Sequence, residues 1–185
     1  MSDASEPLPD GSVRLVAGAD EAYFATGKFW SAGPEDVRRR NEVVLSESIR
    51  AGIVAHARAE LPNEACGLIV GDRPAADGGV ALRWLPARNR AASPFRYEIH
   101  PDDLLRLTIE TDDADEVFWA IVHSHVASPA RPSATDIGLA FYPDALYILV
   151  SLHPDEADHA TGEPGIRAWR IVDGAVSEVP ISIGS

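Results

Sequence analysis

An apolar run, Val117-Phe118-Trp119-Ala120-Ile121-Val122, leads directly into His123-Ser124-His125. The run reads as a buried strand. A strand of this kind needs cover, which restricts the chain to folds that keep a sheet inside layers. Residues two apart on an extended chain point to the same side. His123 and His125, carried on the end of that strand, therefore face one point in space.

The rest of the pattern supplies the layers. Residues 1–42 read as an N-terminal extension, partly disordered, and 43–185 as the folded domain. Residues 1 to about 11 are rich in Ser, Asp, Glu and Pro, as a tail is. Tyr23, Phe24, Phe29 and Trp30 are too apolar for a pure linker, so this part is expected to pack on the domain or on a partner. Val43-Val44-Leu45 forms a short strand, and Ser46 is placed to cap a helix running to about Glu60. Ile49, Ile53, Val54 and Ala57 make its apolar stripe. Further strands are expected at Cys66–Gly71, Val80–Leu85, Phe95–Ile99 and Ala145–Leu152. Pro101, Asp102 and Asp103 open a second helix. A third starts after Ser133 and runs through Ile137, Leu139 and Phe141 to Pro143. Ile166–Val172 and Ala175–Val179 form a C-terminal hairpin turning at Asp173-Gly174. The expectation is an α/β fold: a single mixed β-sheet flanked by helices.

Two imidazoles and one carboxylate would give a zinc ion three protein ligands and leave a fourth position open, the plan of a catalytic site. Asp136, one turn into the third helix, is placed to reach back toward His123 and His125. A carboxylate outside the ligand set is also needed to move the proton of the attacking water. Glu64, on the turn that feeds the Cys66–Gly71 strand, is the candidate, although acids are numerous. The Ser133 hydroxyl could donate to an oxyanion. Ser133-Ala134-Thr135-Asp136 also fits a helix capping box, which is the better account on spacing alone. Cys66 offers a rival chemistry as a nucleophile, but a cysteine followed by a buried strand reads as a packed, inert thiol. His153 and His159 lie in a polar, acidic loop that reads as solvated, and His56 and His100 have no partner pattern.

Composition narrows the class. The formal charge of −13 repels phosphate backbones and argues against nucleic acid as a partner. A single cysteine excludes an internal disulfide and fits a reducing compartment. No apolar run approaches the ~20 residues that span a bilayer, and the acidic start has no secretory pattern. The expected setting is cytoplasmic, with no membrane partner. A monomer and a homodimer both stay open.

The ordered set Glu64, His123-Ser124-His125, Ser133 and Asp136 resembles the signature of the JAMM (MPN+) metallopeptidases, E…H-S/T-H-x7-S-x2-D, at every position. Pro62-Asn63-Glu64-Ala65-Cys66-Gly67-Leu68 is similar to the segment that carries the family's glutamate. The likeness spans roughly residues 43–182. It implies a cytidine-deaminase-like α/β/α fold and one Zn2+ per chain held by His123, His125 and Asp136. It further implies Glu64 as the proton carrier and Ser133 as oxyanion support. Asp113–Val117, Asp144–Tyr147 and Arg170–Val176 are similar to the stand-alone prokaryotic CysO-cysteine peptidase (Mec-type) subgroup. Such enzymes release cysteine from the C-terminus of a ubiquitin-like sulfur carrier protein (of the ThiS/CysO/MoaD type) in cysteine biosynthesis. The resemblance thus implies such a carrier as substrate, its extended tail adding a strand to a sheet edge, for which Phe95–Ile99 is the expected edge. Two alternatives stand beside it: an isopeptidase that frees lysines from a ubiquitin-like modifier, and a non-catalytic scaffold of the same fold. The chain departs from the family in having Val126 where many members have Pro, and in its N-terminal extension.

Overall fold

The computed structural model describes residues 42–184. The N-terminal extension expected over 1–42 thus lies outside the described residues, Glu42 excepted. In order the elements are β1 (Val43–Ser46), α1 (Glu47–Ala59), β2 (Cys66–Gly71), β3 (Ala81–Ala87), α2 (Pro101–Asp113), β4 (Val117–His125), α3 (Ala134–Gly138), β5 (Leu146–Ser151), β6 (Gly165–Val172), β7 (Ala175–Val179) and β8 (Ile181–Gly184). Six strands form one sheet in the order β3-β2-β4-β5-β6-β7. Only β4 and β5 pair in parallel; every other neighbour is antiparallel. The architecture is the mixed α/β sheet expected. Beside it, β1 and β8 form a two-stranded parallel ladder that the sequence reading does not contain.

The apolar runs sort into two cores, one per face. Ala120 and Val122 of β4, with Ile148 and Val150 of β5, pack on one side with Ile49, Ile53, Val54 and Ala57 of α1. Ile121, Tyr147 and Leu149 pack on the other with Leu107 of α2. Strand parity then dictates the site: His123 and His125 share the side of Ile121, while Ser124 shares the side of α1.

Local chemistry explains most element ends. The Ser46 hydroxyl accepts from the Ile49 amide at 3.3 Å, and Glu47 pairs with Arg50 across the first turn of α1. α2 has Pro101 at its start and Asp102 and Asp103 in the first turn, and its N-cap is the His100 imidazole, which accepts from the Asp102 amide. The β6–β7 turn places Asp173 at φ 49° and Gly174 at φ 77°, the left-handed pair that a two-residue hairpin demands.

Two expected elements need correction. Phe95–Ile99 is not a strand; an isolated bridge, Asn89↔Ile99, is all the ladder there is. The Asn89 side chain organises this loop instead. Its Oδ1 accepts from Ala91 and Glu98 amides, and its Nδ2 donates to the Glu64 and Arg96 carbonyls. The apparent alternation also misleads because Phe95 is 86% exposed. The third helix ends at Gly138 rather than near Pro143: Leu139 and Phe141 are exposed, while Ala140 and Tyr142 pack on the core from the non-helical chain that follows. Among the described residues no helix is long and apolar enough to cross a membrane.

Candidate functional site

The site forms where β4 ends. Cys66 of β2 pairs with His123 of β4. That register continues past the strand: the Ser124 amide donates to the Ala65 carbonyl at 3.0 Å, and the Ala65 amide donates to the Ser124 hydroxyl at 2.8 Å. Glu64 is the next residue outward, and it is buried. The loop over 89–99 clamps Glu64 further, since the Ser93 carbonyl takes its amide proton and Asn89 Nδ2 binds its carbonyl. α3 brings the fourth group. Asp136 lies one turn past Ser133, with its carboxylate turned back toward the strand end.

Glu64, His123, His125 and Asp136 are all buried. His123 Nε2 stands 3.3 Å from His125 Nε2. The Asp136 carboxylate oxygens stand 3.4 Å from His123 Nε2 and 3.5 Å from His125 Nε2. Ligands about 2.0–2.1 Å from a tetrahedral ion lie about 3.3–3.4 Å apart along each edge. The three donors therefore fit one face of a zinc tetrahedron, and they form the one metal-competent His/Cys/Asp/Glu group among the described residues. The tautomer agrees. His125 Nδ1 donates to the Pro129 carbonyl at 2.6 Å, which leaves the Nε2 lone pair free for a metal.

Electrostatics separate the two carboxyls. Burial pushes Glu64 up to about 7, with His125 opposing and Asp136 adding to the rise. Burial also works to raise Asp136, but the facing His123 and His125 imidazoles and the bond from Ser133 outweigh it and hold that carboxyl well below the usual range. One acid near the strand end thus stays ionised while its neighbour can gain or lose a proton near neutrality.

Ser133 satisfies the capping reading. Its hydroxyl accepts from the Asp136 amide at 3.2 Å, and its own amide donates to Asp136 Oδ2 at 2.7 Å. Capping and chemistry are compatible here, because a hydroxyl that accepts from an amide still has its own hydrogen to donate. The side chain is exposed, so that hydrogen is accessible. Cys66 is buried, and burial pushes its thiol up to about 12, against a thiolate nucleophile. His153 caps a 3-10 turn at Pro154–Glu156 rather than joining a metal group.

One neighbour escapes the sequence reading. Tyr97 stacks on His123 with ring centroids 4.2 Å apart and an interplanar angle of 18°. The only trace in the sequence is a lone tyrosine in a charged stretch between Arg96 and Glu98.

A sheet-end cluster of two histidines and an aspartate that could hold a metal ion, with a second buried carboxylate beside it, is an arrangement suited to hydrolysis. The comparisons make this specific. A model of prokaryotic homologs of the JAB domain matches residues 46–172, and the chain belongs to this JAMM/MPN family of peptidases. It is 40% identical to the CysO-cysteine peptidase of Mycobacterium tuberculosis (strain ATCC 25618 / H37Rv) over 145 residues, 76% of this chain and 90% of that one. It is 31% identical to the desampylase of Haloferax volcanii over 112 residues, 58% of this chain and 78% of the relative. Among solved structures, protein DSY2949 from Desulfitobacterium hafniense matches with a TM-score of 0.66 and 33% identity, covering 77% of this chain and 93% of the other. A protein from Salinibacter ruber shares the fold at a TM-score of 0.56 and 24% identity, covering 77% and 92%.

Proposed function

We propose that this peptidase is zinc-dependent and hydrolyses the amide that follows the C-terminal glycine of a ubiquitin-like sulfur carrier protein, releasing cysteine. The observation that carries the chemistry is the triangle of His123, His125 and Asp136, with the buried Glu64 carboxyl feeling the charges of His125 and Asp136. The substrate follows from the likeness to a CysO-cysteine peptidase over 90% of that protein's length.

His123 and His125 through Nε2, with the Asp136 carboxylate, would hold the ion. When bound, zinc supplies a Lewis acid that polarises the carbonyl and makes water acidic enough to attack near neutral pH. Glu64 accepts the proton of the attacking water and passes it to the departing amine. Burial, which raises its proton affinity in the metal-free protein, lets it hold the proton between the two transfers. Ser133 donates its free hydroxyl hydrogen to the oxyanion. Its capping bonds hold the hydroxyl in place beforehand, so no reorganisation is required as charge develops. Tyr97 stacks on His123 and keeps the ring from turning. The buried Ser124–Ala65 bond anchors the residue next to Glu64.

The test is a mass-resolved cleavage assay on a carrier that bears one C-terminal cysteine. Loss of a single cysteine, stopped by a chelator and by Glu64→Ala, is the expected result, with metal still bound to the variant. Loss of metal from Glu64→Ala would contradict the role given to Glu64. The likeness to a desampylase supports a second reading, an isopeptidase that frees lysine side chains from a ubiquitin-like modifier. Cleavage of a lysine-linked conjugate, with none of the cysteine-bearing carrier, would favour it.

A further inference from the structure

Arginines in this chain are almost all committed. Among the described residues only Arg96 and Arg131 form neither an ion pair nor a side-chain hydrogen bond; the others have a partner. In a chain with 29 acidic and 16 basic residues, acids are abundant enough to pair every arginine. Both exceptions are exposed; Arg131 lies two residues before Ser133, and Arg96 is next to Tyr97.

Arg131 lies in the segment that links His125 to Ser133. That segment is held on several sides. The Ser128 carbonyl accepts from the Ser151 hydroxyl at 2.7 Å, and the Pro129 carbonyl accepts from His125 Nδ1. The Ala130 carbonyl accepts from Trp169 Nε1 at 2.9 Å, and Ala130 is fully buried. The Arg131 amide itself donates to the Pro129 carbonyl at 2.7 Å. Pro132 and the Ser133 cap follow at once. The base of this arginine is thus fixed relative to the groups that hold the metal and the oxyanion, while its side chain has no partner. An arginine on a fixed base loses less freedom when it engages a ligand than one on a loose loop.

The proposed reaction supplies a ligand for it. The group that leaves is an amino acid with a free α-carboxylate, one residue from the bond that breaks. That carboxylate must approach Asp136 and Glu64 on a chain of net charge −13, and a fixed cation besides the proposed zinc ion would favour its approach and give it a direction. We propose that Arg131 binds the free α-carboxylate of the leaving residue and so selects a carrier ending in a single amino acid over an amidated, extended or lysine-linked conjugate. Guanidinium and carboxylate match as a two-point fork, which adds direction to charge. This inference rests on the proposed peptidase reading. Arg96 lies instead on the loop that clamps Glu64, next to exposed Phe95, and serves as the comparison.

The experiment compares kcat/KM for a carrier ending in Gly-Cys with that for the same carrier ending in Gly-Cys-amide, using zinc-loaded protein. The wild type is expected to prefer the free carboxylate by about tenfold or more at low ionic strength, with the preference shrinking as salt is added. In Arg131→Ala the ratio should fall to near one, Arg131→Lys should restore part of it, and Arg96→Ala should keep it. The same preference should appear in binding, measured calorimetrically with Glu64→Gln, which holds the carrier without turning it over. Equal cleavage of both carriers by the wild type would overturn the carboxylate reading while the peptidase reading stood. A ratio that survives in Arg131→Ala, or is lost in Arg96→Ala instead, would overturn the assignment to Arg131. Cleavage of neither carrier would remove the peptidase substrate on which the inference rests.

Discussion

Glu64→Gln should make the metal-free protein more stable at high pH, because the geometry that suits Glu64 to proton transfer strains the fold. Burial raises this carboxyl from its ordinary 4.5 to about 7. The folded chain therefore binds this proton more tightly than the unfolded chain does. The stability that Glu64 contributes is fully present below about pH 4.5 and is lost as pH rises through about 7. Each tenfold change in proton affinity is worth about 1.4 kcal/mol. Between pH 5 and pH 8 the loss comes to about 2.5 kcal/mol, or about 2 kcal/mol once water near the site is counted. Glu64→Gln keeps the shape and removes the titration. The gap in unfolding free energy, variant minus wild type, should then be about 2 kcal/mol larger at pH 8 than at pH 5. In melting temperature this is about 4–8 °C for a domain of this size. Urea titrations followed by circular dichroism, in chelator and at both pH values, read it directly. Taking the change between two pH values cancels any packing difference between Glu and Gln. A gap constant to within about 0.5 kcal/mol would refute the claim that buried Glu64 resists ionisation, and with it the proton-carrier argument.

Other substitutions probe the supports around the site. Ser124→Ala leaves the buried Ala65 amide without its acceptor and should cost about 1–3 kcal/mol in denaturant unfolding, with turnover falling because Glu64 loses its tether. Gly67→Ala would drive a methyl group into the Leu85 carbonyl and the Trp84 indole, and should destabilise by about 1–3 kcal/mol or more in a thermal melt. Cys66→Ala should retain peptidase activity and cost about 1 kcal/mol of stability, whereas inactivation would revive the cysteine nucleophile. Asp136→Ala removes one of the three proposed ligands together with the carboxylate half of the Ser133 cap. It should lose stoichiometric zinc by elemental analysis as well as activity.

What the sequence determines by itself is local. The step of two residues between His123 and His125 sets both imidazoles on one face of any strand that carries them. The step of three between Ser133 and Asp136 closes a capping box in any helix that starts there. Backbone geometry guarantees both, which is why the buried strands, the helix starts and the hairpin at Asp173-Gly174 are legible without coordinates. The alternation of Phe95, Tyr97 and Ile99 fails as evidence for a strand because Asn89, six residues earlier, takes the backbone bonds that a neighbouring strand would have supplied. The end of α3 is equally illegible, since helix length follows from whether Leu139 and Phe141 find anything to pack against.

Tertiary structure decides the rest of the site. In the sequence, Glu64 is tied to the histidines only through family resemblance. In the structure the tie is a register, Cys66 against His123 and Ala65 against Ser124, which leaves the next residue, Glu64, buried beside the strand end. Sixty residues of chain separate the partners, and only inter-strand hydrogen bonding can choose which residue lies opposite which. The stacking of Tyr97 on His123, the Pro129 carbonyl that selects the His125 tautomer and the unpaired state of Arg131 belong to the same kind. Each depends on which groups burial brings within a few ångströms, and that distance is a property of the folded chain rather than of spacing along it.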